Sequence, residues 1–301
     1  MSLLHALRRV SFACSFAVVA VALSPAYGAD FSSTRITVNA EGTGKDVILI
    51  PGMGSSPRVW RELVKALPGY RYHMVQVHGF AGVAPGANTD GPVAAPVAEE
   101  IARYIAAGKL DKPAVIGHSM GGTMGLMLAG RHPGALSKVM VVDMMPFLGA
   151  MFGPPGTTAE SVKPTADGVL AHLRSANAAD RLARTSATIT GMVDNAAMRP
   201  AALDDAMKSD PDVAARAMHE LIVTDLRAEL PKISVPATVL YVTPKRIGMT
   251  DEQLDASYTA AYAPLKGVTL KRIPGSAHFI MWDQSEQFQR EVKNFLATPA
   301  R

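Results

Sequence analysis

From residue 35 onward the chain alternates between two spacings of apolar residues. Residues 35–38, 47–51, 72–77, 114–117 and 138–142 are short, mostly aliphatic runs that end in turn residues, and they read as strands. Between them, residues 57–67, 92–107 and 120–132 carry apolar side chains at a 3.6-residue spacing and read as helices. Strands that alternate with helices predict right-handed crossovers and a mostly parallel central sheet flanked by helices, which is the α/β class.

The strand signal stops at about residue 145 and returns at about 233. Between these points "DGVLAHLRSA" and "DVAARAMHELIVTDL" carry helical periodicity, so residues 145–232 are expected to form a helical cap or lid inserted between strands. "PATVLYV" and "GVTLKRI" then restore two strands around a helix that begins near Thr250, and "SEQFQREVKNFLA" closes the chain as an amphipathic helix. Residues 29–144 and 233–301 thus make the core. With 48% hydrophobic residues in 301, the chain can bury one large core that carries an insertion.

Residues 1–28 stand outside this pattern. Arg8 and Arg9 precede an apolar run over residues 10–23, and Ala26-Tyr27-Gly28 follows, which predicts a signal peptide cleaved after Gly28. The run is 14 residues long. A membrane-spanning helix needs about 20, so no stable membrane insertion is expected after cleavage, and the location expected is periplasmic or secreted. Cys14, the single cysteine, leaves with this segment, and the mature chain needs no disulfide framework. Losing Arg8 and Arg9 lowers the formal net charge from +4 to +2. The remaining lysines and arginines form no cluster larger than the pairs Lys245-Arg246 and Lys271-Arg272, so no nucleic-acid partner is expected.

In a parallel sheet, reactive groups gather just after the carboxyl ends of the strands. Ser119 occupies such a position, within Gly117-His118-Ser119-Met120-Gly121, between a strand and a helix. This is the Gly-x-Ser-x-Gly nucleophile elbow, and residues 34–297 resemble the α/β-hydrolase superfamily. A glycine-flanked serine turn without chemistry is the plainer alternative, but it does not call for the strand before and the helix after.

The resemblance implies an α/β-hydrolase fold, a serine nucleophile and the chain order serine, acid, histidine. His278, in "RIPGSAHFIMWD" after the last strand, matches the base. His78 also follows a strand but precedes the serine, and is expected to line the pocket mouth; His118 is expected to serve core packing. "PGMGSS" resembles the family's His-Gly-x-Gly loop with Pro51 in the histidine position, so the amides of Met53 and Met120 are the expected oxyanion donors, beside Gly52. For the acid, Asp143 directly after "KVMVV" is preferred, with Asp251 as the alternative. Thr250 and Gln253 resemble a capping box, which would account for Asp251 as a first-turn carboxylate, and Asp283 reads as an N-cap with Glu286 three residues on.

The same resemblance implies acyl-enzyme hydrolysis of a carboxylic ester, without a cofactor, on a small-molecule substrate with an apolar acyl part. Met53, Met120, Met124 and Met127, with Phe147, Phe152, Met192 and Met218 of the insertion, are the candidate lining. Carbon–carbon or amide cleavage on the same triad is an alternative, as is a non-catalytic ligand-binding protein on this scaffold. Relatives with epoxide hydrolase or haloalkane dehalogenase chemistry place an aspartate at the elbow, which Ser119 argues against. The histidine and cysteine spacing of a zinc site is missing from the sequence.

Overall fold

The computed structural model describes residues 31–244 and 248–299, so the expected signal peptide lies outside the described residues. The chain runs β1 (Ile36–Gly42), β2 (Lys45–Ile50), α1 (Arg61–Ala66), β3 (Tyr70–Val77), α2 (Ala94–Ala107), β4 (Ala114–His118), α3 (Met120–Arg131) and β5 (Lys138–Val142). The insertion follows, with α4 (Ala159–Arg174), α5 (Ala178–Met192), α6 (Arg199–Lys208) and α7 (Pro211–Val223). The core resumes with β6 (Ala237–Tyr241), α8 (Asp251–Tyr262), β7 (Thr269–Arg272), α9 (Ile280–Asp283) and α10 (Ser285–Ala297).

The seven strands form one sheet in the order β1-β3-β2-β4-β5-β6-β7. Every pairing is parallel except that of β1 with β3, which places one antiparallel strand at the edge. All five residues of β4 and of β5 are buried, as continuous apolar strands covered on both faces should be. On one face α2 contributes Val97, Ile101 and Ile105 and α3 contributes Leu126 and Met127. On the other, Phe288, Val292 and Phe295 of α10 pack with Trp60 and Leu63. The stretch expected as one helix over 57–67 divides into a 3-10 turn at Pro57–Trp60 and then α1, with the Ser56 hydroxyl capping the turn.

Within the insertion, α4 lies along α7 over a small core of its own, made by Phe147, Val162, Ala166 and Ile222. The insertion is tied to the sheet domain by a buried carboxylate: Glu220 of α7 accepts from the amides of Val93, Ala94 (2.6 Å) and Ala95 (2.8 Å) at the start of α2. Among the described residues no helix is long and apolar enough to cross a membrane.

Candidate active site

Parallel register assembles the site. His118 stands opposite Val142, so Ser119 and Asp143, the next residue on each chain, leave the sheet as neighbours. The Ser119 amide donates to the Val142 carbonyl at 2.9 Å, and the Asp143 amide donates to the Leu240 carbonyl of β6 at 2.7 Å. Both residues have φ of 53°, the left-handed region that non-glycine residues avoid. Such strain costs about 1–3 kcal/mol per residue and persists only where the surroundings over-determine it.

The glycines of the elbow are required by close approach. A Cβ on Gly117 would stand 2.0 Å from the Gly121 carbonyl oxygen, and one on Gly121 would stand 2.2 Å from that of Ile50. Gly52 is close-packed to a lesser degree, since its Cβ would lie 3.0 Å from His118 Nδ1 and 3.1 Å from Ser119 Cβ. The loop after β2 therefore rests directly on the nucleophile position. Met53 follows in that loop, and Met120 is the first residue of α3; among the described residues neither amide donates a hydrogen bond. Two free amides beside a serine at a helix N-terminus suit an oxygen that gains negative charge.

His278 sits between β7 and α9. Its Nδ1 donates to Asp143 Oδ2 at 2.6 Å. The other carboxylate oxygen accepts from the Val242 amide at 3.2 Å and from the Tyr258 hydroxyl at 3.4 Å. With the proton on Nδ1, the imidazole presents a lone pair on Nε2, the tautomer that a general base needs. The Asp143 side chain is 9% exposed and that of His278 20%, so the pair is shielded while the ring keeps an open edge. Burial, then the Asp143 charge, pushes the Tyr258 hydroxyl well above the usual tyrosine range, so it stays a donor to the carboxylate. Asp251 lies apart: it accepts from the Thr243 hydroxyl at 2.6 Å and pairs with Arg272. Among the described residues the Ser119 hydroxyl forms no hydrogen bond.

The profile of the alpha/beta hydrolase family matches residues 47–291. The chain belongs to the alpha/beta hydrolase family. A protein of Yersinia enterocolitica named for carbamate hydrolysis is 29% identical over 115 residues, which are 38% of this chain and 41% of that relative. The chain thus spans about two fifths of the length of that relative. A pimeloyl-acyl-carrier-protein methyl ester esterase of Vibrio atlanticus is 27% identical over 215 residues, 67% of this chain and 77% of the relative. Among solved structures, the enol-lactonase of Burkholderia xenovorans LB400 superposes with a TM-score of 0.70 at 18% identity, over 87% of this chain and 96% of that one. An esterase of Exiguobacterium antarcticum gives 0.70 at 19% identity over 87% and 96%. At these identities the two structures speak for the fold.

Several expected residues of this alpha/beta hydrolase stand elsewhere. The His78 ring turns to the sheet edge, where it meets the Thr37 hydroxyl at 2.7 Å and the Thr34 carbonyl at 3.1 Å, because β3 ends beside the segment that leads into β1. Phe147 is buried between α4 and α7, with the Arg227 guanidinium over its ring, because those helices need a core of their own. Met218 packs on the same cluster, and Phe152 is exposed. Met124 and Met127 belong to the main core. Met192 does reach the site's surroundings, as its carbonyl accepts from the Phe279 amide, next to His278, at 3.1 Å.

His118 is buried, as expected for a core residue, but its packing partner is the candidate base. Its ring lies 4.6 Å from that of His278, and its Nε2 is 3.1 Å from the His278 carbonyl. Burial, then the nearby His278, holds its pKa well below the usual histidine range, so it stays neutral and can donate Nε2–H to that carbonyl. Asp283 is the last residue of α9 rather than an N-cap, and its oxygens accept from the Ala277 amide at 2.9 Å and the Asn195 amide at 2.8 Å. It therefore ties the His278 turn to the insertion. The spacing to Glu286 concealed this role, and Leu254, Tyr258 and Tyr262 in α8 concealed Tyr258 by reading as an ordinary core stripe.

Proposed function

We propose that this alpha/beta hydrolase cleaves carboxylic esters through an acyl-enzyme on Ser119. The observation that carries the reading is the 2.6 Å bond from His278 Nδ1 to Asp143, at the same carboxyl end of the sheet as the strained Ser119. His278 Nε2 takes the Ser119 proton as the oxygen attacks the ester carbonyl, and the amides of Met53 and Met120 receive the charge on the carbonyl oxygen. The proton then passes to the departing alcohol. Water, deprotonated by the same nitrogen, attacks the acyl-enzyme, and the acid leaves as Ser119 regains its proton. The name of the Vibrio relative supports an ester, and the half-buried Met53 and Met192 support an apolar acyl part.

A series of p-nitrophenyl esters of increasing acyl length tests the proposal. A chain-length optimum is expected, and Ser119→Ala is expected to reduce turnover to background with an unchanged circular dichroism spectrum. A wild-type protein that hydrolyses none of them fits a binding protein instead, and turnover retained by Ser119→Ala removes the serine mechanism.

Export through the N-terminal segment is part of the same proposal, supported by Arg8, Arg9 and the apolar run that follows. Protein recovered from its native compartment is expected to begin at Ala29. An intact Met1 in the membrane fraction would indicate an anchor.

A further inference from the structure

The loop that carries Met53 is gripped from outside the sheet. At its downstream end, Ser56 meets α6 of the insertion, where Asp205 Oδ2 accepts from the Ser56 amide at 3.0 Å and from its hydroxyl at 2.6 Å. Asp205 is 2% exposed. Its Oδ1 lies 2.9 Å from Arg58 Nη2, within ion-pair distance, yet no N–H is directed at it, and it is a buried oxygen without a hydrogen bond. A carboxylate buried in this way costs stability, and packing alone would be served as well by an apolar side chain of similar volume.

Around Asp205, α6 is seated firmly on the loop. A Cβ on Gly54 (φ 68°) would stand 3.7 Å from Ala206 Cα. Ser209 accepts from the Ala81 amide at 2.9 Å and donates to the Asp205 carbonyl at 2.8 Å. From the other side, Arg181 of α5 donates to the carbonyls of Met207 (2.8 Å) and Ser209 (2.6 Å). The end of α6 is thereby held between the oxyanion loop and α5.

The geometry points to Asp205 as a positioning residue for the oxyanion hole: through this carboxylate the insertion fixes Ser56, and with it the Met53 amide three residues earlier. The inference rests on the esterase reading, in which Met53 is an oxyanion donor. A donor already in place when charge develops stabilises the transition state more than one that must first be ordered, so the effect falls on kcat.

The test measures kcat and KM for a p-nitrophenyl ester together with the inhibition constant of an arylboronic acid, whose tetrahedral serine adduct needs the same donors as the transition state. Asp205→Ala is expected to lower kcat about 10- to 100-fold, less than the roughly 10²–10³ lost when a donor is removed outright, with KM little changed and boronate affinity reduced by the same factor. Asp205→Asn, which keeps an acceptor for Ser56, should recover most of both. Asp204→Ala removes an exposed partner of Arg58 and Lys208, with no contact to Ser56, and should alter neither. If Asp205→Ala does not fold, Ser56→Ala deletes one of the two hydrogen bonds and should give a smaller parallel loss. Unchanged kcat and boronate affinity in the folded variant overturn the inference, whatever the melting temperature does. A wild type that neither turns over ester nor binds boronate overturns the esterase reading and this inference with it.

Discussion

Ser119 and Asp143 share a left-handed backbone for one reason: each is the first residue beyond a buried parallel strand, and each must turn its side chain out at the carboxyl end of the sheet while its amide still bonds the neighbouring strand. That common geometry sets what a single substitution should do. Asp143→Asn can keep the Val242 contact through its oxygen but turns an amide toward His278, which favours the tautomer with its proton on Nε2. On the proposed mechanism a loss of up to about 10⁴-fold in kcat is expected, the size seen for this change in serine triads. Asp251→Asn weakens a half-exposed pair with Arg272, worth about 0–1 kcal/mol, and should leave turnover near wild type. Steady-state kinetics of the two variants decide between them, and a collapse confined to Asp251→Asn reverses the assignment. At this scale the sequence placed Ser119 and His278 by motif and chain order, but Asp143 and Asp251 each had a local explanation, and only the fold shows which carboxylate His278 reaches.

Helix ends divide into those capped locally and those capped from afar. Thr250 and Gln253 form the capping box of α8 that their spacing predicts. The start of α2 has no cap of its own: Val93 offers no side-chain acceptor, and Glu220, more than a hundred residues later, takes the first three amides. Glu220→Ala would leave three buried or half-buried amides without an acceptor and loosen α7 from α2. A loss of about 2–4 kcal/mol is expected in urea unfolding followed by circular dichroism, with Glu220→Gln losing less. A change below about 0.5 kcal/mol would mean that water replaces the carboxylate without cost.

Across the whole molecule, two neutral histidines lie inside the fold. Burial is the first cause that lowers the pKa of both His118 and His73, although Asp46 pulls His73 partly the other way. When a folded-state pKa lies below the unfolded one, the unfolded chain binds more protons in the interval between them. Stability is then fully present above about pH 6.5 and is lost as pH falls toward the folded value, at up to about 1.4 kcal/mol per pH unit for each group. Melting temperatures recorded from pH 7.5 to 5 should fall below about 6.5, and His118→Gln, which keeps a donor for the His278 carbonyl, should flatten part of that slope. A flat wild-type profile would contradict the burial of both rings.

The sequence by itself determined the α/β alternation, the place of the insertion, the elbow and the histidine after the last strand. These are local signals: an apolar period or a few residues at fixed spacing carries each of them. The tertiary structure alone decided that His278 meets Asp143, that His118 packs on His278, that Phe147 and His78 turn away from Ser119, and that Asp205 and Glu220 hold the insertion to the core. Each of these joins residues that sequence separates by tens to more than a hundred positions. Their partners are chosen by strand register and helix packing, which no local pattern encodes.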